Sequence, residues 1–229
     1  MELNDSVVLV TGANGGLGRE FVAQALSRGA RKVYAAARRP QEWTDDRVVP
    51  LALDVTDAAS IEVALTVAKD TTLLVNNAGI TGAESLVTST PASIQETFET
   101  NVFGPVRLVQ GLAPSLADAG GGAVVNVLSA LSWLATPGAY SPSKAAFWGV
   151  TNTLRLELAA QGTQVLGAHL GFTDTPMTEH LDVAKGDAAD VVAAILDGLE
   201  SGADEVLADD TSRAIKAGLS TSTTSGISF

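Results

Sequence analysis

Thr11-Gly12-Ala13-Asn14-Gly15-Gly16-Leu17-Gly18 decides the fold, because it joins the apolar run Val7 to Val10 directly to a segment of helical period. Glycines let a backbone turn tightly and approach a pyrophosphate, whose negative charge meets the free N–H groups at the start of the helix. The alternative is a glycine-rich turn that only links the two elements. Its position after the first strand favours phosphate binding, with these candidate residues: Gly12, Asn14, Gly15, Gly16, Leu17 and Gly18.

Outward from this loop, short apolar or β-branched runs alternate with longer segments of helical period. The predicted strands are Val7 to Val10, Val33 to Ala37, Val48 to Leu53, Leu73 to Val75, Ala123 to Leu128, Val165 to Leu170 and Glu205 to Ala208. The predicted helices are Leu17 to Arg28, Ala58 to Lys69, Ser93 to Ala117, Ser143 to Ala160 and Ala188 to Glu200. This alternation predicts an α/β, doubly wound Rossmann fold with a parallel sheet of about seven strands flanked by helices.

No repeat, proline-rich linker or change of composition divides the 229 residues, of which 46% are hydrophobic. The sequence therefore predicts a single domain over residues 1–219. Residues 220–229 are rich in Ser and Thr and are predicted to form a loosely ordered tail.

The composition excludes several classes of function. A formal net charge of -12, without a basic block, would repel nucleic acid and acidic membrane surfaces. The chain has no cysteine, no signal peptide pattern and no apolar run long enough to span a membrane, so we expect a cytoplasmic protein. His169 and His180 are too far apart to act as paired ligands within one helical turn, and no metal site is predicted.

The end of the second strand carries Ala37-Arg38-Arg39, where a dinucleotide fold places the residue that meets the adenosine ribose. An NAD site would require a carboxylate there, whereas arginine can pair with a 2'-phosphate, so Arg38 favours NADP over NAD. The alternative is a pair of solvated charges leaving a strand. Asp54 and Val55 end the third strand, and Asp54 is placed to accept from the adenine amino group or to cap the next helix.

Tyr140-Ser141-Pro142-Ser143-Lys144 opens a helix, so the four-residue spacing places the phenol and the ammonium on one face. A phenol has a pKa near 10, but a cation about 4 Å away contributes roughly 4 kcal/mol, or about three pKa units. We therefore expect Lys144 to lower the pKa of Tyr140 and to make it a proton catalyst. The alternative is a tyrosine in the core beside a lysine at the surface.

Ser129 ends the strand before this helix, at the edge of the sheet where ligands bind in doubly wound folds. Its hydroxyl could hold a substrate carbonyl, and Ser132 competes for that role. A nucleophilic serine is not indicated, because the G-x-S-x-G elbow is absent.

Three motifs, Thr11 to Gly18, Asn76-Asn77-Ala78-Gly79 and Tyr140 to Lys144, occur in this order across almost the whole chain. Together they resemble the short-chain dehydrogenase/reductase family. The resemblance implies that Ser129 anchors the carbonyl, that Tyr140 is the general acid in reduction and that Lys144 lowers its pKa and holds the nicotinamide ribose. Asn101 would be the fourth member and would position a water that leads to Lys144.

The same resemblance implies further cofactor contacts. Asn76 to Gly79 would stabilise the central sheet beside the adenosine, with Asn77, Ala78 and Gly79 in contact with the cofactor. Leu170-Gly171-Phe172-Thr173-Asp174-Thr175 resembles the family's Pro-Gly motif, with leucine in place of the proline. Gly171 and Thr173 are then expected beside the nicotinamide, and Thr175 is expected to bind its carboxamide.

The substrate pocket is predicted to be apolar, since Leu131, Trp133, Phe172 and Met177 flank Ser129 and the loop after the sixth strand. Hydrophobic ketones or aldehydes would suit it, which predicts an NADP-dependent carbonyl reductase or alcohol dehydrogenase. The alternatives are a dinucleotide-sensing protein without turnover, or an enoyl reductase, dehydratase or epimerase of the same family. The resemblance also implies a homodimer or homotetramer formed through the long helices.

Overall fold

The computed structural model describes residues 1–219, so the predicted tail at 220–229 lies outside the described residues. Seven strands form one sheet with all neighbours parallel, in the order β3-β2-β1-β4-β5-β6-β7. The strands are β1 (Val7–Thr11), β2 (Lys32–Ala37), β3 (Val48–Ala52), β4 (Leu73–Asn76), β5 (Ala123–Val127), β6 (Gln164–His169) and β7 (Glu205–Leu207). The doubly wound fold predicted from the sequence is confirmed.

Helices cover both faces of this sheet. They are α1 (Gly16–Ser27), α2 (Ala58–Val67), α3 (Pro91–Phe98), α4 (Gly104–Asp118), α5 (Tyr140–Leu158), α6 (Ala188–Glu200) and α7 (Asp210–Gly218). Within the range the structure describes, no helix combines the length and apolar character that crossing a membrane requires.

Alternation along β1 divides the core into two layers. Val8 and Val10 point to the side covered by α1 and α6, whereas Val7 and Leu9 point to the side covered by α2, α4 and α5. All four side chains are fully buried. The first four positions of this central parallel strand are therefore all apolar, because both of its faces meet helices.

The strand order reverses between β1 and β4, and this switch point determines where a ligand can bind. Strands run outward from β1 to β3 on one side and from β4 to β7 on the other. The loops that leave β1 and β4 therefore separate above and below the sheet and open a crevice at its carboxyl edge. The glycine loop follows β1 and the Asn77-Ala78-Gly79 segment follows β4, so both line this crevice.

The single helix predicted for Ser93 to Ala117 is wrong. The chain forms α3, then a π-helical turn at Glu99–Phe103, then α4. Pro105 has no N–H to donate to the carbonyl of Asn101, four residues earlier, which an uninterrupted α-helix would require. Gly104 also packs against the backbone of Val55 so closely that a Cβ would overlap its carbonyl.

Helix α7 has no counterpart in the sequence prediction. Asp209 and Ser212 form a capping box at its start, in which each side chain bonds the backbone of the other residue. The capping residues were a signal for this helix. Only the structure shows that α7 borders the crevice, where Thr211 and Ile215 line the cavity described next.

Candidate active site

A cavity of about 710 Å³ lies at the carboxyl edge of the sheet. Its walls come from the glycine loop, the segment after β4, the segment after β5, the start of α5, the long loop after β6 and the start of α7. Most of the residues named above as cofactor or substrate contacts line it: Gly12, Gly15, Gly16, Leu17, Asn77, Ala78, Gly79, Ser129, Leu131, Tyr140, Lys144, Gly171, Phe172, Thr173, Thr175 and Met177.

The glycine loop is shaped by close backbone contacts. Gly12 has a positive φ of 67° and lies against Ala78, whose Cα would be 3.1 Å from an added Cβ. At Gly18 a Cβ would overlap the carbonyl of Gly12. Gly15 is the N-cap residue of α1 and has no side chain, so within residues 1–219 no capping side chain accepts from the N–H groups at the helix start. These groups fit an anionic diphosphate.

Thr11 and Asn77 tie this loop to the end of β4. The Thr11 hydroxyl accepts from the backbone N–H groups of Asn77 and Ala78, each at 3.0 Å. The Asn77 side chain donates to the Thr11 carbonyl at 2.9 Å. These hydrogen bonds connect the two sides of the crevice. The position of the glycine loop therefore depends on the segment after β4.

Arg38, Asp54 and Val55 are not part of the cavity lining. Arg38 is exposed at the end of β2. Hydrogen bonds from Thr56 hold the pKa of Asp54 below its usual value, and the charge of Arg38 acts in the same direction. Val55 is buried and packs against Gly104. Asp57, not Asp54, caps α2, by accepting from Ala59 and Ser60.

Asn14 connects the glycine loop to the end of β2. Its amide donates to the Arg39 carbonyl at 2.6 Å, while its Oδ1 is buried without a hydrogen-bond partner in the part of the chain that the structure describes. A buried acceptor without a donor is costly, and a ligand hydroxyl beside this loop would satisfy it. Asn14 is therefore at a position where a cofactor fits.

Tyr140 and Ser129 meet on the cavity wall. The Ser129 hydroxyl lies close enough to the Tyr140 phenol to lower its pKa, and the Ser129 Oγ accepts from the backbone N–H of Leu131 at 3.1 Å. Lys144 is buried beneath them, and its Nζ donates to the Val127 carbonyl at 2.8 Å. The Nζ lies 5.7 Å from the centroid of the Tyr140 ring. The three side chains predicted to act together are thus brought together.

The electrostatics of this group differ from the expectation. Burial raises the pKa of Tyr140 to about 12, with the hydrogen bond from Ser129 acting in the opposite direction. Burial lowers the pKa of Lys144 to about 8. The expected lowering of the Tyr140 pKa by Lys144 is therefore not seen for the protein groups alone, because loss of hydration is the largest cause of both shifts.

Asn101 lies in the π-helical turn and binds two neighbouring segments. Its Oδ1 accepts from the Ile80 N–H and its Nδ2 donates to the Ile80 carbonyl, both at 2.9 Å. The same Nδ2 donates to the Ser143 hydroxyl at 2.9 Å, and Ser143 in turn donates to the Tyr140 carbonyl at 2.7 Å. Asn101 therefore links the segment after β4 to the first turn of α5.

The loop after β6 supplies the wall opposite Tyr140. The N–H of Gly171 donates to Asp209 at 2.6 Å, which joins this loop to the start of α7. Thr173 is buried, and its hydroxyl has no hydrogen-bond partner among the residues described. Thr175 contacts Gly16, since a Cβ added there would lie 3.0 Å from the Thr175 side chain. An amide-bearing ring between these threonines would satisfy the Thr173 hydroxyl.

The predicted substrate pocket needs one correction and several additions. Leu131, Phe172 and Met177 line the cavity with Ser129, but Trp133 does not. Trp133 turns away and stacks on His169, with the ring centroids 3.9 Å apart. Sequence reasoning also missed other residues of the cavity wall. Five of them come from the loop after β6 and from α7, whose places depend on tertiary packing: His180, Leu181, Val183, Thr211 and Ile215.

Comparison with known proteins agrees with this geometry. Residues 6–186 match a family model described as short chain dehydrogenase. A 3-oxoacyl-[acyl-carrier-protein] reductase of Vibrio cholerae is 31% identical over 193 residues, which are 80% of this chain and 79% of that protein. The corresponding Escherichia coli reductase is 30% identical over 90% of this chain and 88% of its own length.

Solved structures of short-chain dehydrogenases are also similar to this chain. A short chain dehydrogenase from Burkholderia cenocepacia, crystallised in complex with NADP, superposes with a TM-score of 0.90 at 37% identity, covering 96% of this chain and 95% of that one. A short-chain dehydrogenase from Streptomyces avermitilis gives a TM-score of 0.85 at 30% identity, with coverage of 94% and 92%.

Proposed function

The chain belongs to the short-chain dehydrogenase/reductase family, and from that premise we propose that it is an NADP-dependent carbonyl reductase acting on hydrophobic ketones or aldehydes. The observation that carries the proposal is the group of Ser129, Tyr140 and the buried Lys144, which line the same apolar cavity. The reverse reaction would oxidise the corresponding alcohols.

The cofactor proposal rests on three features of the crevice. The uncapped start of α1 fits the diphosphate, the unpartnered Thr173 hydroxyl fits the nicotinamide side, and Arg38 fits a 2'-phosphate. The NADP complex of the Burkholderia cenocepacia relative supports the last choice. When bound, the nicotinamide supplies the hydride that reaches the carbonyl carbon.

The proton comes from the protein. Ser129 donates a hydrogen bond to the substrate carbonyl oxygen, and Tyr140 transfers its proton to that oxygen as the carbon is reduced. A pKa of about 12 keeps Tyr140 protonated at neutral pH, which suits a general acid. The Lys144 ammonium carries the positive charge of the site. It would also bind the ribose next to the nicotinamide. Asn101 would position the water that returns a proton to Lys144.

The chemistry of the cavity wall supports the substrate class. Leu131, Phe172 and Met177 lie beside Ser129, and Leu181, Val183 and Ile215 extend the apolar surface. Apolar walls favour hydrocarbon groups on either side of the carbonyl. The Vibrio cholerae and Escherichia coli relatives are both named as 3-oxoacyl-[acyl-carrier-protein] reductases. We therefore take 3-oxoacyl thioesters as the second substrate class to test.

The test follows NADPH and NADH oxidation by near-ultraviolet absorbance with a panel of aliphatic ketones, aromatic ketones, aldehydes and 3-oxoacyl thioesters. We expect turnover of bulky apolar ketones with NADPH, and weaker turnover of acetone. Tyr140→Phe is the matched control, because it removes one hydroxyl and keeps the ring. Absence of oxidation with every carbonyl would refute the reductase proposal, and undiminished turnover in Tyr140→Phe would refute the role of Tyr140.

We also propose self-association through the helices on one face. Leu156 on α5 is 80% exposed and Phe103, next to α4, is 45% exposed. Large apolar side chains at such exposure are typical of contact surfaces. Light scattering of the protein and of Leu156→Glu would test this, since a dimer or tetramer that uses α5 should dissociate in the variant.

A further inference from the structure

Behind the catalytic wall lies a buried cluster that the reaction does not use directly. His169, at the end of β6, is fully buried, and its ring stacks on Trp133 at 3.9 Å with an angle of 18° between the rings. Trp148 of α5 meets both rings edge-on, with centroids 6.2 Å and 6.5 Å away. The imidazole is thereby held in one orientation from two sides.

We propose that His169 is a positioning residue, whose Nδ1–H holds the Ser129 main chain and so aims the Ser129 hydroxyl at the substrate carbonyl. The inference rests on the proposed reductase function. Its geometric basis is a distance of 3.0 Å between His169 Nδ1 and the Ser129 carbonyl oxygen. The same carbonyl accepts from the Ser132 N–H at 3.0 Å.

The polar groups around the ring determine which nitrogen carries the proton. A carbonyl oxygen only accepts, so the short contact requires a proton on Nδ1. The other nitrogen, Nε2, faces Glu205 of β7 at 3.3 Å. Glu205 is itself paired with Lys216 of α7 at 2.7 Å. Nε2 is buried and has no hydrogen-bond partner among the residues described. Burial lowers the pKa of His169 to about 4, so the ring is neutral at neutral pH and its one proton lies on Nδ1.

Local backbone groups also hold Ser129, since its carbonyl accepts from the Ser132 N–H and its hydroxyl from the Leu131 N–H, but the contact from His169 is the one that ties the Ser129 carbonyl to β6. Ser129 lies just beyond the end of β5, in extended backbone before a single 3-10 turn. Its hydroxyl interacts with Tyr140, while its carbonyl contacts His169. A shift of the main chain would therefore move the hydroxyl away from the place where the carbonyl oxygen must bind.

Two substitutions separate positioning from simple packing. His169→Asn places an amide N–H two bonds beyond Cβ, where Nδ1 stands, whereas His169→Leu fills the space without a donor. We expect His169→Leu to lower kcat about 10-fold to 100-fold, by analogy with other residues that orient a catalytic group, and to leave the Kd for NADPH unchanged. His169→Asn should recover most of the kcat. Trp148→Phe is the control, since it keeps a ring edge near the imidazole and makes no contact with Ser129.

A double-mutant cycle tests whether the effect passes through Ser129. In the Ser129→Ala background, His169→Leu should have almost no further effect on kcat, because no hydroxyl remains to be aimed. Equal losses in both backgrounds would overturn the proposal, as would a His169→Leu protein with parental kcat, or an Asn variant no better than the Leu variant.

Nitrogen-15 NMR of the histidine side chains provides a measurement that does not depend on turnover. The chain has only 2 histidines, so the signals of His169 and the exposed His180 can be assigned with His169→Asn. We expect a protonated Nδ1 at neutral pH in His169. A ring protonated only on Nε2 would overturn the inference even if the reductase is active. A parent protein without turnover but with protonated Nδ1 would refute the proposed function and leave the positioning contact supported.

Discussion

Replacing Lys144 with methionine should separate the stability of this fold from its activity. The lysine is only 4% exposed, and its pKa falls from 10.5 to about 8. A charged lysine is therefore less favourable in the folded protein than in the unfolded chain. Methionine has a similar length and no charge, so Lys144→Met removes that penalty along with the group that the reaction needs.

The magnitude follows from linkage between protonation and folding. Above pH 8 the folded protein releases the Lys144 proton while the unfolded chain still binds it, so parental stability rises with pH up to about 10.5. Below pH 8 both states bind the proton and the full penalty applies. A shift of about 2.5 units corresponds to about 3 kcal/mol, of which about 2 kcal/mol should disappear between pH 7.5 and pH 10.

The hydrogen bond to Val127 makes an opposing contribution. Methionine leaves the Val127 carbonyl without its donor, at a cost of about 1 to 3 kcal/mol. This loss is nearly the same at both pH values, because a neutral amine still donates. The change in the stability difference between pH 7.5 and pH 10 therefore isolates the charge, whereas the difference at one pH does not.

The assay is urea unfolding of the parent and Lys144→Met at pH 7.5 and pH 10, together with NADPH oxidation at pH 7.5. We expect the free energy of unfolding of the variant, relative to the parent, to fall by about 2 kcal/mol between the two pH values. Reductase activity should be lost. A relative stability that does not change with pH would refute the reasoning about buried charge, and a fully active variant would refute the role of Lys144.

Three further outcomes follow from the site. Tyr140→Phe should lower kcat by about 10²-fold to 10⁴-fold with unchanged unfolding, because it removes only the general acid; kinetics and circular dichroism measure both. With a Tyr140 pKa of about 12, reduction should vary little with Tyr140 ionisation at neutral pH, whereas alcohol oxidation, which needs the deprotonated phenol, should rise with pH from 7 to 10; an oxidation rate independent of pH would contradict this. Arg38→Ala should raise the KM for NADPH about 10-fold to 100-fold through loss of a charge-assisted contact, while the KM for NADH stays near its parental value; equal changes for both cofactors would mean that Arg38 does not read the 2'-phosphate.

The sequence was sufficient to predict those features of the site whose interactions join residues close together in the chain. The glycine loop is recognisable because its residues lie between β1 and α1 in sequence as they do in space. The Tyr140 and Lys144 spacing identifies one face of α5 for the same reason. By contrast, the break at Asn101 depends on Pro105 together with the packing of Gly104 on Val55, and the second of these contacts spans a long separation in sequence.

Trp133 illustrates a different limit. Its place after β5 predicted a pocket wall, but the ring stacks on His169, which comes from the neighbouring strand β6. No pattern within either segment specifies which side of the 3-10 turn the indole will occupy. Several wall residues that the sequence did not predict come from α7 and the loop before α6, whose approach to the cavity depends on contacts such as Asp209 with Gly171.

The sequence by itself determined the doubly wound fold, the phosphate-binding turn and the identity of the candidate acid, because periodicity, glycine placement and helical spacing are properties of adjacent residues. Tertiary structure decided the electrostatics. Burial, which no local pattern measures, raises the pKa of Tyr140 and lowers that of Lys144. Tertiary packing also brings His169, Glu205 and Lys216 together behind Ser129, because they come from three separate elements.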